Sequence, residues 1–130
     1  MKKLLIDTSI IIDFLRRKDK KDSLLRKISE EDLYISIVTH TELYSGKSVW
    51  ESKVAKQELK KLFSIFTILP LITKISQNAG KIKAYNHDMT IIDCIIAATS
   101  IIHGLDLAAL NIKDFKKIDG IKLFTAKGIN

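Results

Sequence analysis

Apolar residues fall in short blocks along the chain, and the blocks follow two periodicities. Leu4-Leu5-Ile6 is an unbroken apolar run closed by Asp7. Such a run, bounded by polar residues, predicts a strand over Lys3 to Ile6 that is covered on both faces. Ile10, Ile11, Phe14 and Leu15 then recur at helical spacing. A second helical pattern runs from about Asp19 to Ile28, with Leu24, Leu25 and Ile28 on one face. Leu33 to Val38 is β-branched and apolar, and predicts a strand. Thr39 to Ser45 predicts a helix broken near Gly46, and Trp50 to Phe63 a longer, lysine-rich one. Phe66 to Leu69 predicts a strand ended by Pro70. Helices are predicted over Thr73 to Tyr85 and over the nearly all-apolar Ile91 to His103. Leu105 to Leu110 predicts a strand, and Lys122 to Phe124 a weaker last one.

Strands alternating with helices predict an α/β fold class with a mostly parallel central sheet of about five short strands. No repeat, low-complexity tract or break in composition divides residues 1–130, so one domain is expected. In open parallel sheets the working site lies beyond the carboxyl ends of the strands. That rule directs attention to the residue that closes each apolar run.

Oxygen-bearing side chains stand there. Asp7 follows Leu-Leu-Ile, Glu42 lies just past the second strand, and Asp93 is near the start of the apolar helix. Asn111 follows Leu-Ala-Ala-Leu, with Asp114 three residues on. Each has a structural reading too. Asp7 can cap the helix after it. Thr39-His40-Thr41-Glu42 fits a capping box, and Thr90-Ile91-Ile92-Asp93 a near variant of one. Asn111 and Asp114 fit turn and cap positions. Asp93 resists that reading most, because Ile-Ile-Asp-Cys-Ile-Ile-Ala-Ala has the all-round apolar character of a buried helix. A buried carboxylate is costly unless it is paired or holds a metal. No Lys or Arg lies within four residues of it on that helix.

Charge and composition narrow the chemistry. The chain carries 22 Lys+Arg against 15 Asp+Glu, a net charge of +7, which favours polyanionic partners such as nucleic acid. The single Cys94 excludes an intrachain disulfide and a cysteine-based zinc cluster, and reads as a small buried hydrophobe. No apolar stretch reaches the roughly 18 residues of a membrane span. The opening Met-Lys-Lys-Leu-Leu-Ile-Asp is too short for a secretory signal, so a cytoplasmic protein with no membrane partner is expected. Clustered carboxylates repel and raise one another's pKa, whereas a divalent cation keeps them ionised. Oxygen-only donors suit Mg²⁺, with Mn²⁺ as a substitute. A magnesium site on a basic protein points to phosphoryl chemistry on nucleic acid.

The ordered set of Leu-Leu-Ile-Asp-Thr-Ser, Thr41-Glu42-Leu43, Asp93 to Ala98 and Asn111 to Phe115 resembles the PIN domains, and among them the VapC toxins of VapBC toxin–antitoxin pairs. Each motif is short. The separations of 35, 51 and 18 residues between Asp7, Glu42, Asp93 and Asn111 make the set specific. The resemblance covers essentially the whole chain and implies a PIN-like three-layer α/β/α domain. It implies a Mg²⁺-dependent endoribonuclease acting on RNA such as tRNA or rRNA, leaving 5′-phosphate and 3′-hydroxyl ends. Asp7, Glu42, Asp93 and Asn111 fall at its catalytic positions, with Asp7, Asp93 and Glu42 as metal ligands. Thr8 and Ser9 are implied supporting hydrogen-bond donors, and Asp114 a reserve acid. A homodimer and a small VapB-like antitoxin are the implied partners. One departure is Ala109, where relatives often carry Thr or Ser. With Asn at position 111 as well, one well-held ion is expected.

Arg16, Arg17 and Lys18, with Lys20 and Lys21, form a basic run after the first helix and are candidate RNA contacts, as are Lys53, Lys56, Lys60 and Lys61. His40, His87 and His103 read as surface or helix-end residues, and none is assigned to catalysis. Tyr34, Tyr44 and Trp50 read as core or interface residues that can also stack bases. Two other classes stay open: a catalytically degenerate PIN-like protein-binding module, and an RNA-maturation PIN nuclease without an antitoxin. A receiver-like regulatory module is disfavoured, because Asp7 lacks an acidic neighbour at its strand end.

Overall fold

The computed structural model describes residues 1–125. Its element order is β1 (Lys3–Ile6), α1 (Thr8–Arg16), a 3-10 turn (Lys20–Asp22), α2 (Leu24–Lys27), β2 (Asp32–Ser36) and α3 (Ile37–Tyr44). There follow α4 (Lys47–Glu51), α5 (Lys53–Phe63), β3 (Thr67–Leu69), α6 (Thr73–Tyr85), α7 (Ile91–His103), β4 (Asp106–Ala108) and α8 (Ile112–Phe115).

The four strands form one parallel sheet in the order β3-β2-β1-β4, with Leu5 opposite both Tyr34 and Leu107. Of the about five strands expected, Lys122 to Phe124 contributes only a parallel bridge between Leu107 and Leu123. Strand alternation explains the layers. Leu4 and Ile6 face one side, where Ile10, Ile11, Leu25, Leu43, Leu59 and Phe63 cover them from α1, α2, α3 and α5. Leu5 faces the other side, against Ile75, Ala79 and Ile82 of α6 and Cys94, Ile96 and Ala97 of α7. The chain therefore forms three layers, α/β/α. Cys94 is buried, as its sequence context indicates.

The chain steps from β1 outward to β2 and β3, then returns to place β4 on the other side of β1. The strand order reverses at β1 and β4, whose carboxyl ends are where open parallel sheets place their sites, and Asp7 closes β1 there.

Serines account for most of the shifted boundaries. Ser36 ends β2 and caps α3, its hydroxyl accepting from the Val38 N–H at 3.2 Å. The predicted strand to Val38 is thus two residues short, and Thr39 to Glu42 lies inside α3 rather than forming a capping box at its start. The expected helix from Asp19 to Ile28 is interrupted at buried Ser23, which accepts from Arg26 N–H and donates to Lys20 O at 2.7 Å. Ser52 likewise caps α5 and separates it from α4. The predicted strand over Leu105 to Leu110 is paired only at Asp106–Ala108. Gly104, at φ +64, supplies the left-handed residue that ends α7.

Candidate active site

Asp7 caps α1 from the end of β1 and is only 3% exposed. Its Oδ2 accepts from the Ser9 N–H at 3.1 Å and from the Ser9 hydroxyl at 2.5 Å. Its Oδ1 is buried with no hydrogen-bond partner among the described residues. The capping reading of Asp7 therefore holds for one oxygen and leaves the other without a role. The Ser9 hydroxyl also accepts from the Leu110 N–H at 3.2 Å, which ties the start of α1 to the segment after β4.

Glu42 reaches the same region from the second turn of α3, not the first, because α3 begins at Ile37. The Thr8 hydroxyl donates to Glu42 Oε1 at 2.7 Å and pairs with the Thr39 hydroxyl at 3.0 Å. Thr8 and Thr39 are both buried, so the exposed Glu42 carboxylate is held from below by a fixed donor. Thr39 went unremarked as a site residue in the sequence. Its position three residues before Glu42, on the same helix face, was the signal.

Asp93 stands in the first turn of α7, and its N–H donates to Thr90 Oγ1 at 3.1 Å, so the Thr90 cap expected from the sequence is present. The helix is not buried all round. Ile91 is 52% exposed, and Asp93 is half-buried at the rim of the crevice. Asn111 precedes α8 without capping it, and its side-chain amide donates to Asp114 Oδ2 at 3.2 Å. Both are exposed.

The electrostatics join these acids. Burial pushes the Asp7 carboxyl above its ordinary value, against hydrogen bonds from Ser9 and Thr8 that pull it down. Asp93 is also raised, first by burial, then by the charges of Asp7, Glu42 and Asp114. Among the described residues the ion pairs are Arg17–Asp13 and Lys117–Asp88, and neither involves an acid of the site. The acids are neighbours rather than a closed cage: among the described residues no three acid, His or Cys side chains are grouped tightly enough to enclose an ion as they stand. Even so, the donor set fits a hard divalent cation. It offers oxygens only, one buried oxygen without a partner, and two carboxylates whose burial and repulsion a cation would relieve.

The other sequence candidates lie elsewhere. Arg16, Arg17 and Lys18 are exposed at the far end of α1, about 13 Å along the helix from its start at the rise of 1.5 Å per residue. Arg17 is paired with Asp13 at 2.8 Å. His40 is not a free surface residue but packs its ring 4.4 Å from Phe63 and 4.9 Å from Tyr44, centroid to centroid. His103 lies in the last turn of α7, as expected. Among the described residues no helix is long and apolar enough to cross a membrane.

A PIN domain family model matches residues 4–121. The chain belongs to the PIN-domain family. This PIN domain is of the VapC type. It is 37% identical over 130 residues to ribonuclease VapC1 of Rickettsia felis, a match covering 94% of this chain and 95% of that protein. It superimposes on a toxin–antitoxin complex from Klebsiella pneumoniae with a TM-score of 0.72 at 28% identity, covering 91% of this chain and 94% of that one. VapBC-1 from nontypeable Haemophilus influenzae shares the fold with a TM-score of 0.78 at 20% identity, over 96% and 98% of the two chains.

Proposed function

We propose that this PIN domain is a divalent-metal-dependent endoribonuclease, the toxin of a type II toxin–antitoxin pair, acting on structured RNA such as tRNA or rRNA. The observation that carries it is the buried Oδ1 of Asp7, without a hydrogen-bond partner among the described residues, beside Asp93 and Glu42, acids that form no ion pair among those residues. The relatives named ribonuclease VapC support the reaction class, and the solved toxin–antitoxin complex from Klebsiella pneumoniae supports an antitoxin as partner; a homodimer is the state proposed with it. A basic chain with an acidic crevice suits both an RNA and an antitoxin that places a cation in the crevice.

Asp7 and Asp93 would hold Mg²⁺, or Mn²⁺ in its place, with Glu42 as a third oxygen donor. A bound divalent cation would stabilise negative charge developing on the phosphate and lower the pKa of water. Asp7 is pre-positioned for binding because Ser9 fixes one of its oxygens and the other is buried without a hydrogen-bond partner among the described residues. Glu42, aimed by the Thr8 hydroxyl, orients the attacking water and accepts its proton. Asn111, tethered to Asp114, offers an amide at the position where a further acid would otherwise stand. Ser9 keeps the Leu110 segment, and so Asn111, in register with Asp7.

End-group analysis tests this chemistry. Incubated with a labelled tRNA and rRNA pool in Mg²⁺, the purified chain should yield fragments with 5′-phosphate and 3′-hydroxyl ends. Fragments ending in 2′,3′-cyclic phosphate would show attack by the RNA's own hydroxyl, and would overturn the assignment of Glu42 to a water.

A further inference from the structure

Trp50 is the chain's single tryptophan, and it is 62% exposed rather than packed in the core. It is nevertheless held in one orientation. Its indole N–H donates to the Tyr44 carbonyl, the last residue of α3, at 2.7 Å. Its ring lies 5.8 Å from the Tyr44 ring, which in turn packs against His40 and Phe63. The Lys56 ammonium sits 4.6 Å from the indole centroid. An exposed tryptophan usually wastes its apolar area and swings freely. Here a stack of the half-buried Tyr44 and His40 on the buried Phe63, with a backbone acceptor, fixes it, and a cation marks its open face.

The surroundings point to the occupant. Lys53, Lys56 and Lys60 are exposed and recur three and four residues apart, so they form one stripe along α5 beginning beside the indole. Glu51 is the acid adjacent to Trp50 in sequence, and Glu58 lies off the stripe, toward Lys61 and Leu62. A fixed aromatic face continued by a row of lysines is the combination that binds a single nucleic-acid strand: the base stacks while the backbone phosphates follow the charges. A second copy of this chain suits the face poorly, since a two-fold contact would set one lysine stripe against its equal. The platform also hangs from the end of the helix that carries Glu42, two residues before Tyr44.

We infer that Trp50, backed by Tyr44 and flanked by the Lys53-Lys56-Lys60 stripe, is a stacking platform for an unpaired base of the RNA, next to the cleavage crevice. This subsite rests on the reading of the chain as a ribonuclease. Lys56, over the ring in the free protein, moves to a phosphate when a base takes its place. The platform selects for single-stranded or looped RNA near the cut and is indifferent to base identity, since every base offers a π-face.

Because Trp50 is the sole tryptophan, its emission reports on the platform directly. The full chain would be titrated in EDTA with a single-stranded oligouridylate and with a matched RNA duplex. Saturable quenching by the single strand, weak for the duplex, is expected. Trp50→Leu should weaken single-strand binding, followed by anisotropy of labelled RNA, by about tenfold, the loss expected for one stacked base. Trp50→Phe, which keeps a stacking face, should recover most of that affinity. Metal-dependent cleavage of RNA by the parent with no quenching, and no loss of affinity in Trp50→Leu, would overturn the platform while leaving the ribonuclease reading intact. Loss of dimer in sedimentation of Trp50→Leu, with RNA affinity unchanged, would assign the face to a second copy and also overturn it. Neither RNA binding nor cleavage by the folded parent would bring down both readings.

Discussion

Replacing Asp93 by Asn should reverse its effect on stability according to whether a divalent cation is present. The substitution keeps the side-chain shape and leaves the N–H that Thr90 caps untouched. It removes a carboxylate that burial, Asp7, Glu42 and Asp114 all disfavour. The group is half-exposed, so solvent screens those repulsions, and neutralising it should stabilise the metal-free protein by no more than about 1 kcal/mol. In a chain of this size that is about 3–5 °C in Tm. Mn²⁺ at a hundredfold excess over its Kd adds about 2.7 kcal/mol to the parent. A variant whose affinity has dropped tenfold gains only about 1.4 kcal/mol at the same concentration, so the order of stability inverts. Thermal unfolding of both proteins in EDTA and in Mn²⁺ reads this directly. The sign in pH follows from the raised pKa. Folding favours the protonated acid, so the penalty is full above the folded-state pKa and is gone below the ordinary value of 3.8. The variant's advantage in EDTA should therefore shrink as pH falls from 7 toward 4. Asp93→Asn less stable than the parent in EDTA, or an equal gain for both proteins in Mn²⁺, would refute the reasoning and reduce Asp93 to a cap residue.

Three further outcomes follow from named contacts. Thr8→Val removes the donor to Glu42 and leaves the buried Thr39 hydroxyl without its partner, which should cost about 1–3 kcal/mol in denaturant unfolding and lower kcat for RNA cleavage more than it raises KM. Gly104→Ala forces a side chain into the left-handed region at φ +64, and should cost about 1–2 kcal/mol of stability while leaving the cleavage rate of the folded fraction unchanged. If the exposed lysines grip phosphates, RNA affinity in EDTA should fall linearly with log salt, at a slope of about 0.7 per phosphate contact, and each of Lys53→Gln and Lys60→Gln should make it shallower.

The fold was legible wherever a strand is buried on both faces. Leu4-Leu5-Ile6 can be little else, and its alternation assigns each residue to one of the two helical layers seen in the structure. Boundaries were less legible where a single hydroxyl decides them. Ser36, Ser23 and Ser52 each end one element and cap the next, yet in sequence they sit inside apolar patterns that continue past them. In the candidate site, the strand-end rule pointed to Asp7, which is buried at the end of β1, whereas the all-round apolar reading that pointed to Asp93 fails, because α7 exposes Ile91 and leaves Asp93 half-buried. What sequence could not give was the pairing of Thr8 with Thr39 and Glu42, 31 and 34 residues apart, or that of Ser9 with Leu110, 101 residues apart. Those contacts exist only because β1 lies between β2 and β4. Of the core, interface and base-stacking readings of Trp50, its exposure removes only the core one, because exposure is not encoded in residue type. It is the carbonyl of Tyr44, the last residue of α3, that holds the ring at the surface.

Asp7, Glu42 and Asp93 are proposed to act together on RNA through one divalent cation. The direct measurement is the rate of cleavage of a labelled tRNA pool by the parent and by Asp93→Asn, each in Mg²⁺ and in EDTA, with RNA binding in EDTA as the control for folding. The account predicts cleavage by the parent in Mg²⁺ only, and loss of at least two orders of magnitude (about 3 kcal/mol of transition-state stabilisation) in a variant that still binds RNA. Equal cleavage by parent and variant, or cleavage that persists in EDTA, would contradict it.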